Sequence, residues 1–286
     1  MPELPEVHAL VSDLRGRLIG HTVERLELVS FAALKTFDPP VSALAGGAVT
    51  GVDRHGKFID VSVGGLHLIF HLARAGWLRW RADAPKAPTR PGRGPLAARL
   101  VLDDGSGFDL TEAGTKKSLA IHLVRDPAEV PGIERLGPDP LDPSFTVETL
   151  AGILAAGGRT RIKNLLKSQS VIAGIGNAYS DEILHLAKMS PFKAADMPEA
   201  DVATLYSAIQ ETLRSAIDRA DGLAASELKA EKKSNLRVHG RAGEPCPVCG
   251  DTVRQVIYAD STFQYCPTCQ TGGKPLSDRV LSRLLK

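Results

Sequence analysis

No cysteine precedes Cys246 in this 286-residue chain, no apolar run approaches the length of a bilayer crossing, and no basic region followed by an apolar stretch opens it. The missing apolar run argues against a helical membrane span. The missing export signal leads us to expect a chain that stays in a reducing compartment, where paired cysteines point to a metal rather than to disulfides. Net charge is scarce too: a formal +2 permits nucleic acid as a partner without demanding it. Internal repeats and low-complexity tracts are absent.

The four cysteines that are present stand as Cys246-Pro-Val-Cys249 and Cys266-Pro-Thr-Cys269, with hairpin-like sequence between the pairs. Two such knuckles on the ends of a β-hairpin present four thiolates to one point, the arrangement that tetrahedral Zn2+ prefers. Four thiolates leave no open position for water, so the expected zinc is structural, one per chain.

The apolar content of 43% supplies core for two compact domains plus the hairpin. Val7, Leu10, Val11, Leu14 and Leu18 lie at helical spacing, which predicts a helix over Pro5 to Leu18 stopped by Gly20. From about Val23 to Arg125 the pattern alternates instead. Ile59, Val61 and Val63 share one face, Leu66, Leu68, Phe70 and Leu72 share another, and Asp103-Asp104-Gly105 reads as a hairpin turn. This half is expected to be a β-sandwich or barrel, with Ala84 to Pro95 as a surface loop. After Leu136-Gly137-Pro138 helical periodicity takes over. Thr146 is positioned to cap a helix ending at Gly157, a short helix is predicted over Ile162 to Lys167, and a long amphipathic one carries Val202, Leu205, Ile209, Leu213 and Ile217. The expected domains are 1–135, 136–240 and 241–286, giving an α+β multidomain fold.

Between two of these helices lies Ala173-Gly174-Ile175-Gly176-Asn177. It lacks the third glycine and the βαβ unit of a dinucleotide site. It is either a plain helix cap or a turn that lets backbone N–H groups approach a phosphate, with Lys163 nearby on the preceding helix. At the N-terminus, removal of Met1 would expose Pro2 as a secondary amine followed by Glu3 and, one turn on, Glu6. An α-amine titrates near ~7.7 to 8.0, so part of it is nucleophilic at neutral pH, and a neighbouring carboxylic acid can donate a proton. Ordinary helix-start chemistry accounts for the same residues: proline suits the first turn and acids suit the positive dipole end.

Met1-Pro2-Glu3-Leu4-Pro5-Glu6-Val7, Gly56-Lys57, Leu136-Gly137-Pro138, Gln169 with Ala173 to Tyr179, and the cysteine hairpin occur together in the order found in formamidopyrimidine-DNA glycosylase and endonuclease VIII proteins, which this chain resembles nearly end to end. The resemblance implies an N-terminal β-sandwich carrying the first helix, a helix-two-turn-helix domain with the zinc hairpin, and damaged duplex DNA in the cleft between them. It implies a base-excision repair enzyme, monomeric, in the cytoplasm and associated with the nucleoid. By position, Pro2 would attack C1′ and form a Schiff base that undergoes β,δ-elimination. Glu3 would be the general acid on the sugar, Lys57 a phosphate contact and proton donor, and Glu6 a shaper of the pocket. Lys163, His71 and Asn177 would grip backbone phosphates, and Arg74 would stack into the gap left by a flipped base. The zinc ligands would be Cys246, Cys249, Cys266 and Cys269. A non-catalytic lesion-binding protein is the alternative reading.

Four departures stand out. Asp260 occupies the place of the family's finger arginine, and a carboxylate there repels phosphate. His71-Leu72-Ala73-Arg74 replaces a motif that commonly ends in methionine, and Thr111 to Lys117 lacks the usual aromatic wedge. The tail Ser277 to Lys286 adds apolar residues at helical spacing beyond the last cysteine.

Overall fold

The computed structural model describes residues 1–85, 94–257 and 262–276. The chain divides into two compact units, Met1–Leu136 with Ala220–Leu228, and Gly137–Arg219 with Lys229–Lys286.

The first unit opens with α1 (Leu4–Leu18). Glu3 and Glu6 form a reciprocal capping box, in which the Glu3 backbone N–H donates to the Glu6 carboxylate at 2.8 Å, so the N–H groups of these two residues are satisfied by each other's side chains. The predicted stripe of Val7, Leu10, Val11, Leu14 and Leu18 is buried. Beyond the helix end Gly20 takes φ +92°, a conformation that costs other residues more.

Eight strands follow: β1 (Val23–Leu28), β2 (Val49–His55), β3 (Phe58–Val63), β4 (Leu66–His71), β5 (Gly76–Arg81), β6 (Leu96–Leu102), β7 (Gly107–Glu112) and β8 (Ala120–Val124). They make two antiparallel sheets of order β1-β6-β7-β5 and β2-β3-β4-β8. The inward set anticipated from alternation, Ile59, Val61, Val63, Leu68 and Phe70, joins α1, Leu100, Leu102, Phe108 and Leu110 in one core. Each such side chain contributes roughly 1.5–3 kcal/mol by leaving water. Asp103-Asp104-Gly105 joins β6 to β7, with Gly105 at φ +82°. The returning segment belongs to this core through Ala220, Ala225 and Leu228, and the Trp77 indole N–H donates to the Ala225 carbonyl at 3.0 Å.

The first unit also holds the short α2 (Pro131–Glu134). In the second unit, α3 (Val147–Gly157) is capped by Thr146, whose hydroxyl accepts from the Thr149 N–H. α4 (Ile162–Lys167), α5 (Asn177–Leu186), α6 (Glu199–Ala220) and α7 (Leu228–Asn235) follow. β9 (Arg254–Ile257) and β10 (Thr262–Tyr265) form the antiparallel hairpin, and α8 (Pro267–Thr271) carries the last cysteine. Among the described residues no helix is long and apolar enough to cross a membrane. Asp260, most of the 84–95 loop and the tail from Ser277 lie outside the described residues.

Candidate active site and cysteine cluster

Pro2 is buried, directly before the capped start of α1, and Glu3 and Glu6 beside it are only 2% and 3% exposed. Their carboxylates lie beside the N-terminal turn of α1. The short turn between β2 and β3 is Gly56-Lys57. Gly56 has φ +56° and Lys57 is not in the left-handed region, the pattern of a two-residue II′ hairpin turn. Arg54 Nη1 donates to the Gly56 carbonyl at 2.9 Å and clamps this turn. Lys57 itself is buried.

Lys57 faces the end of β4. Burial, then the positive charges of Lys57 and His122, lower the His71 imidazole to about 4, so it is neutral at physiological pH. Its Nδ1 accepts from the Ala73 N–H at 3.2 Å, which leaves the ring proton on Nε2. His71 is therefore a neutral donor rather than a cation. Its ring packs against Phe58 with centroids 4.8 Å apart. Ala73 reaches this geometry at φ +51°. Arg74 follows in the same turn and is exposed. The loop after β7 is anchored through buried Glu112, which accepts from the Ser118 and Leu119 N–H groups at 2.7 and 3.0 Å; Lys116 and Lys117 on it are exposed.

In the second unit the motif residues explain one another. The Gly137 N–H donates to the Gln169 carbonyl, and a Cβ on Gly137 would come within 2.4 Å of the Val171 oxygen. The Gln169 amide donates to the Ile175 carbonyl at 2.6 Å and accepts from the Gly174 N–H at 3.0 Å, with Gly174 at φ +85°. This fixes the loop that delivers Asn177 to the first position of α5. Asn177 Nδ2 donates to the Thr262 carbonyl of the hairpin at 2.7 Å, while its Oδ1 is buried without a partner.

Lys163, on α4, is 4% exposed. Its ammonium lies 2.5 Å from Asp181 Oδ1, 2.8 Å from the Ser180 hydroxyl and 3.3 Å from the Asn177 carbonyl. The charge that a phosphate contact would use is thus already matched by a buried carboxylate, and the lysine ties α4 to the first turn of α5.

Sequence reasoning missed the residues that hold this region together. Asp181, fully buried, also accepts through Oδ2 from His239 Nδ1 at 2.7 Å and from the Gln264 N–H at 3.2 Å. Glu182 accepts from the Arg237, Val238 and His239 N–H groups at 2.7, 3.0 and 2.9 Å. Burial pushes its carboxyl above the usual carboxylate range, against the pull of those three bonds. The available signal was two adjacent acids on the inward face of a short helix, where unpaired charges are costly.

The four cysteines come together as spacing anticipated. All four sulfurs lie within 4.8 Å of one another, with Cys249 and Cys266 at 3.3 Å and Cys246 and Cys269 at 3.9 Å. Four soft donors converging in this way fit a tetrahedral metal. Gly250, after the first knuckle, turns at φ +79°, and the Gln270 side chain accepts from the Cys266 N–H at 2.9 Å. His185, at the far end of α5, sets Nε2 at 3.3 Å from Cys246 Sγ, and its Nδ1 is buried without a partner. Were a metal bound, the Cys246 sulfur could only accept, and Nε2 would carry the proton.

Fold and site together define a protein that joins a helix-led β-sandwich to a helix-two-turn-helix unit with a four-cysteine hairpin. Comparison with known proteins identifies that combination. Residues 1–118 match the formamidopyrimidine-DNA glycosylase N-terminal domain, and residues 136–227 match the H2TH domain of the same family. A formamidopyrimidine-DNA glycosylase of Symbiobacterium thermophilum is 36% identical over 280 residues, covering 94% of this chain and 89% of its own. An uncharacterized formamidopyrimidine-DNA glycosylase-like protein of Mycobacterium tuberculosis is 58% identical over 160 residues, 56% of this chain and 99% of its own. The structure of the Lactococcus lactis formamidopyrimidine-DNA glycosylase, non-covalently bound to DNA containing an AP site, matches with a TM-score of 0.80 at 27% identity, covering 94% of this chain and 99% of that one. The chain belongs to the formamidopyrimidine-DNA glycosylase family.

Proposed function

We propose that this chain is a base-excision DNA glycosylase with abasic-site lyase activity, acting on oxidised bases in duplex DNA. The observation that carries this reading is a buried Pro2 set directly before a helix whose capping acids are Glu3 and Glu6, in a chain of this family. With Met1 removed, the secondary amine of Pro2 attacks C1′ of the damaged nucleotide. The C1′–N bond breaks, its electrons leave with the base, and the base takes up a proton. Glu3, in its acid form, protonates the sugar ring oxygen as the ring opens.

The iminium joining Pro2 to C1′ acidifies the C2′ proton. Its removal expels the 3′ phosphate in the β step, and a second elimination expels the 5′ phosphate. Hydrolysis of the imine then frees Pro2. Lys57, a buried cation on a rigid turn, binds the phosphate at the lesion and supplies a proton to the departing oxygen. Glu6 holds the Glu3 backbone and shapes the pocket wall. His71 donates from Nε2 to a backbone oxygen, Arg74 enters the space vacated by the flipped nucleotide, and Asn177 presents the N-terminal turn of α5 to a phosphate. Lys163 serves that contact by holding the Asn177 carbonyl.

Cys246, Cys249, Cys266 and Cys269 hold Zn2+, which fixes the hairpin against α5 and takes no part in bond breaking. Borohydride should trap the wild-type chain on an oligonucleotide bearing an abasic site, and Pro2→Gly or a blocked terminus should abolish the crosslink. A duplex that is bound but never trapped or nicked would overturn the enzymatic reading.

A further inference from the structure

On the outward face of the β2-β3-β4-β8 sheet a small apolar cluster of Phe58, Ile69, Val124, Val130 and Ile133 stands among polar residues of the same face, Asp53, Ser62 and His122 included. Asp60 lies on that face, directly opposite Ile69, and is 2% exposed. A carboxylate is costly there unless both oxygens are engaged. They are: Oδ2 lies 3.0 Å from His55 Nε2, and Oδ1 lies 2.9 Å from His67 Nδ1. The two imidazoles come from the strands on either side of β3. His55 is the last residue of β2, and after it only Gly56 and Lys57 remain before β3 begins at Phe58.

We propose that Asp60 is a positioning residue of the repair site, the centre of a His67–Asp60–His55 tie that fixes the turn carrying Lys57. The backbone ladders already align β2, β3 and β4 from Val49 to His71. They leave the two residues of the turn unconstrained by cross-strand pairing. Arg54 on the Gly56 carbonyl and Asp60 on the His55 ring both act on that turn from its base. The second reaches across to β4, the strand that ends at His71, so the tie also sets the separation of Lys57 and His71. Charge-assisted bonds to a buried carboxylate are short and directional, and a side chain displaced by about an ångström can lose about a hundredfold in rate. The inference rests on the role proposed for Lys57.

The test is a double-mutant cycle read by single-turnover strand cleavage of a duplex with one abasic site, together with Kd for a duplex bearing a non-cleavable abasic analogue. Asp60→Asn should slow cleavage about tenfold, and Lys57→Ala should slow it more. The double variant should be no slower than Lys57→Ala, because the tie acts only through the lysine. His55→Gln, which keeps a donor towards Asp60, should retain most of the rate, whereas His55→Phe should match Asp60→Asn. If Asp60→Asn does not fold, as judged by circular dichroism, the two His55 variants carry the comparison in the same cycle. Additive losses, or full activity in Asp60→Asn and His55→Phe, would overturn the tie. Full activity in Lys57→Ala would instead remove the role given to the lysine, and the tie with it, while leaving Pro2 trapping intact.

Discussion

Lys163 directs its ammonium at Asp181, 2.5 Å away, and both side chains are buried. A buried pair is no proof of stability, but removing one partner strands the other charge in a dry site, at a cost of about 3–5 kcal/mol. Lys163→Ala should therefore lower the unfolding free energy obtained from urea titration by about 3–5 kcal/mol. The salt dependence of DNA binding should keep its slope, because the lysine's charge is spent inside the protein. A slope reduced by about one, with unchanged stability, would mean that Lys163 neutralises a phosphate directly.

Glu3→Gln keeps an acceptor at the helix start and removes the acid. Base excision should fall by about 10²–10³-fold, with the duplex Kd nearly unchanged and thermal stability altered by less than about 1 kcal/mol. Borohydride trapping on a preformed abasic site should persist, since that aldehyde needs no glycosidic bond broken. Single-turnover assays on lesion and abasic duplexes separate the two steps.

His71 gives a pH prediction with a defined sign. Its pKa is lowered to about 4 from an ordinary 6.5, by burial first and Lys57 second. Between those values the unfolded chain binds a proton that the folded chain does not, so stability is fully present above about 6.5 and is lost as pH falls towards 4, by up to about 1.4 kcal/mol per pH unit. His71→Phe should flatten that part of the stability curve. DNA affinity should show no titration from His71 between pH 6 and 8, because a neutral ring donates throughout. Urea unfolding across pH and fluorescence anisotropy at fixed salt are the measurements.

On the zinc assignment proposed above, chelation should remove one metal ion per chain, weaken duplex binding and leave the Pro2 amine able to be trapped at high DNA concentration. Burial pushes the Cys266 thiol up to about 11. Metal uptake must therefore displace its proton, and zinc affinity should fall as pH drops. His185→Phe should speed zinc release to a chromogenic chelator, because the imidazole that orders Cys246 is lost. An unchanged release rate would make His185 a packing residue only.

What the sequence made legible was whatever repeats locally. The stripe on α1, the limits of α4, the start of α5 at Asn177 and the four-cysteine spacing all follow from intervals of a few residues or from chemistry that admits few alternatives. The residues that order the site did not announce themselves. Asp60 finds His67 seven positions away across a strand pair, Asp181 finds His239 and Gln264, and His185 finds Cys246 sixty-one positions away. Periodicity says which apolar side chains turn inward. It does not say which polar ones follow them, since that depends on partners brought in by the fold. Asp260, the most informative departure on paper, lies outside the described residues.

Helix α5 has the Asn177 amide on the hairpin at one end and His185 against a cysteine sulfur at the other. The nine residues from Asn177 to His185 span about 12 Å of helix. One short helix thus joins the turn at Asn177 to the cysteine cluster, so that both ends of α5 are tied to the hairpin segment.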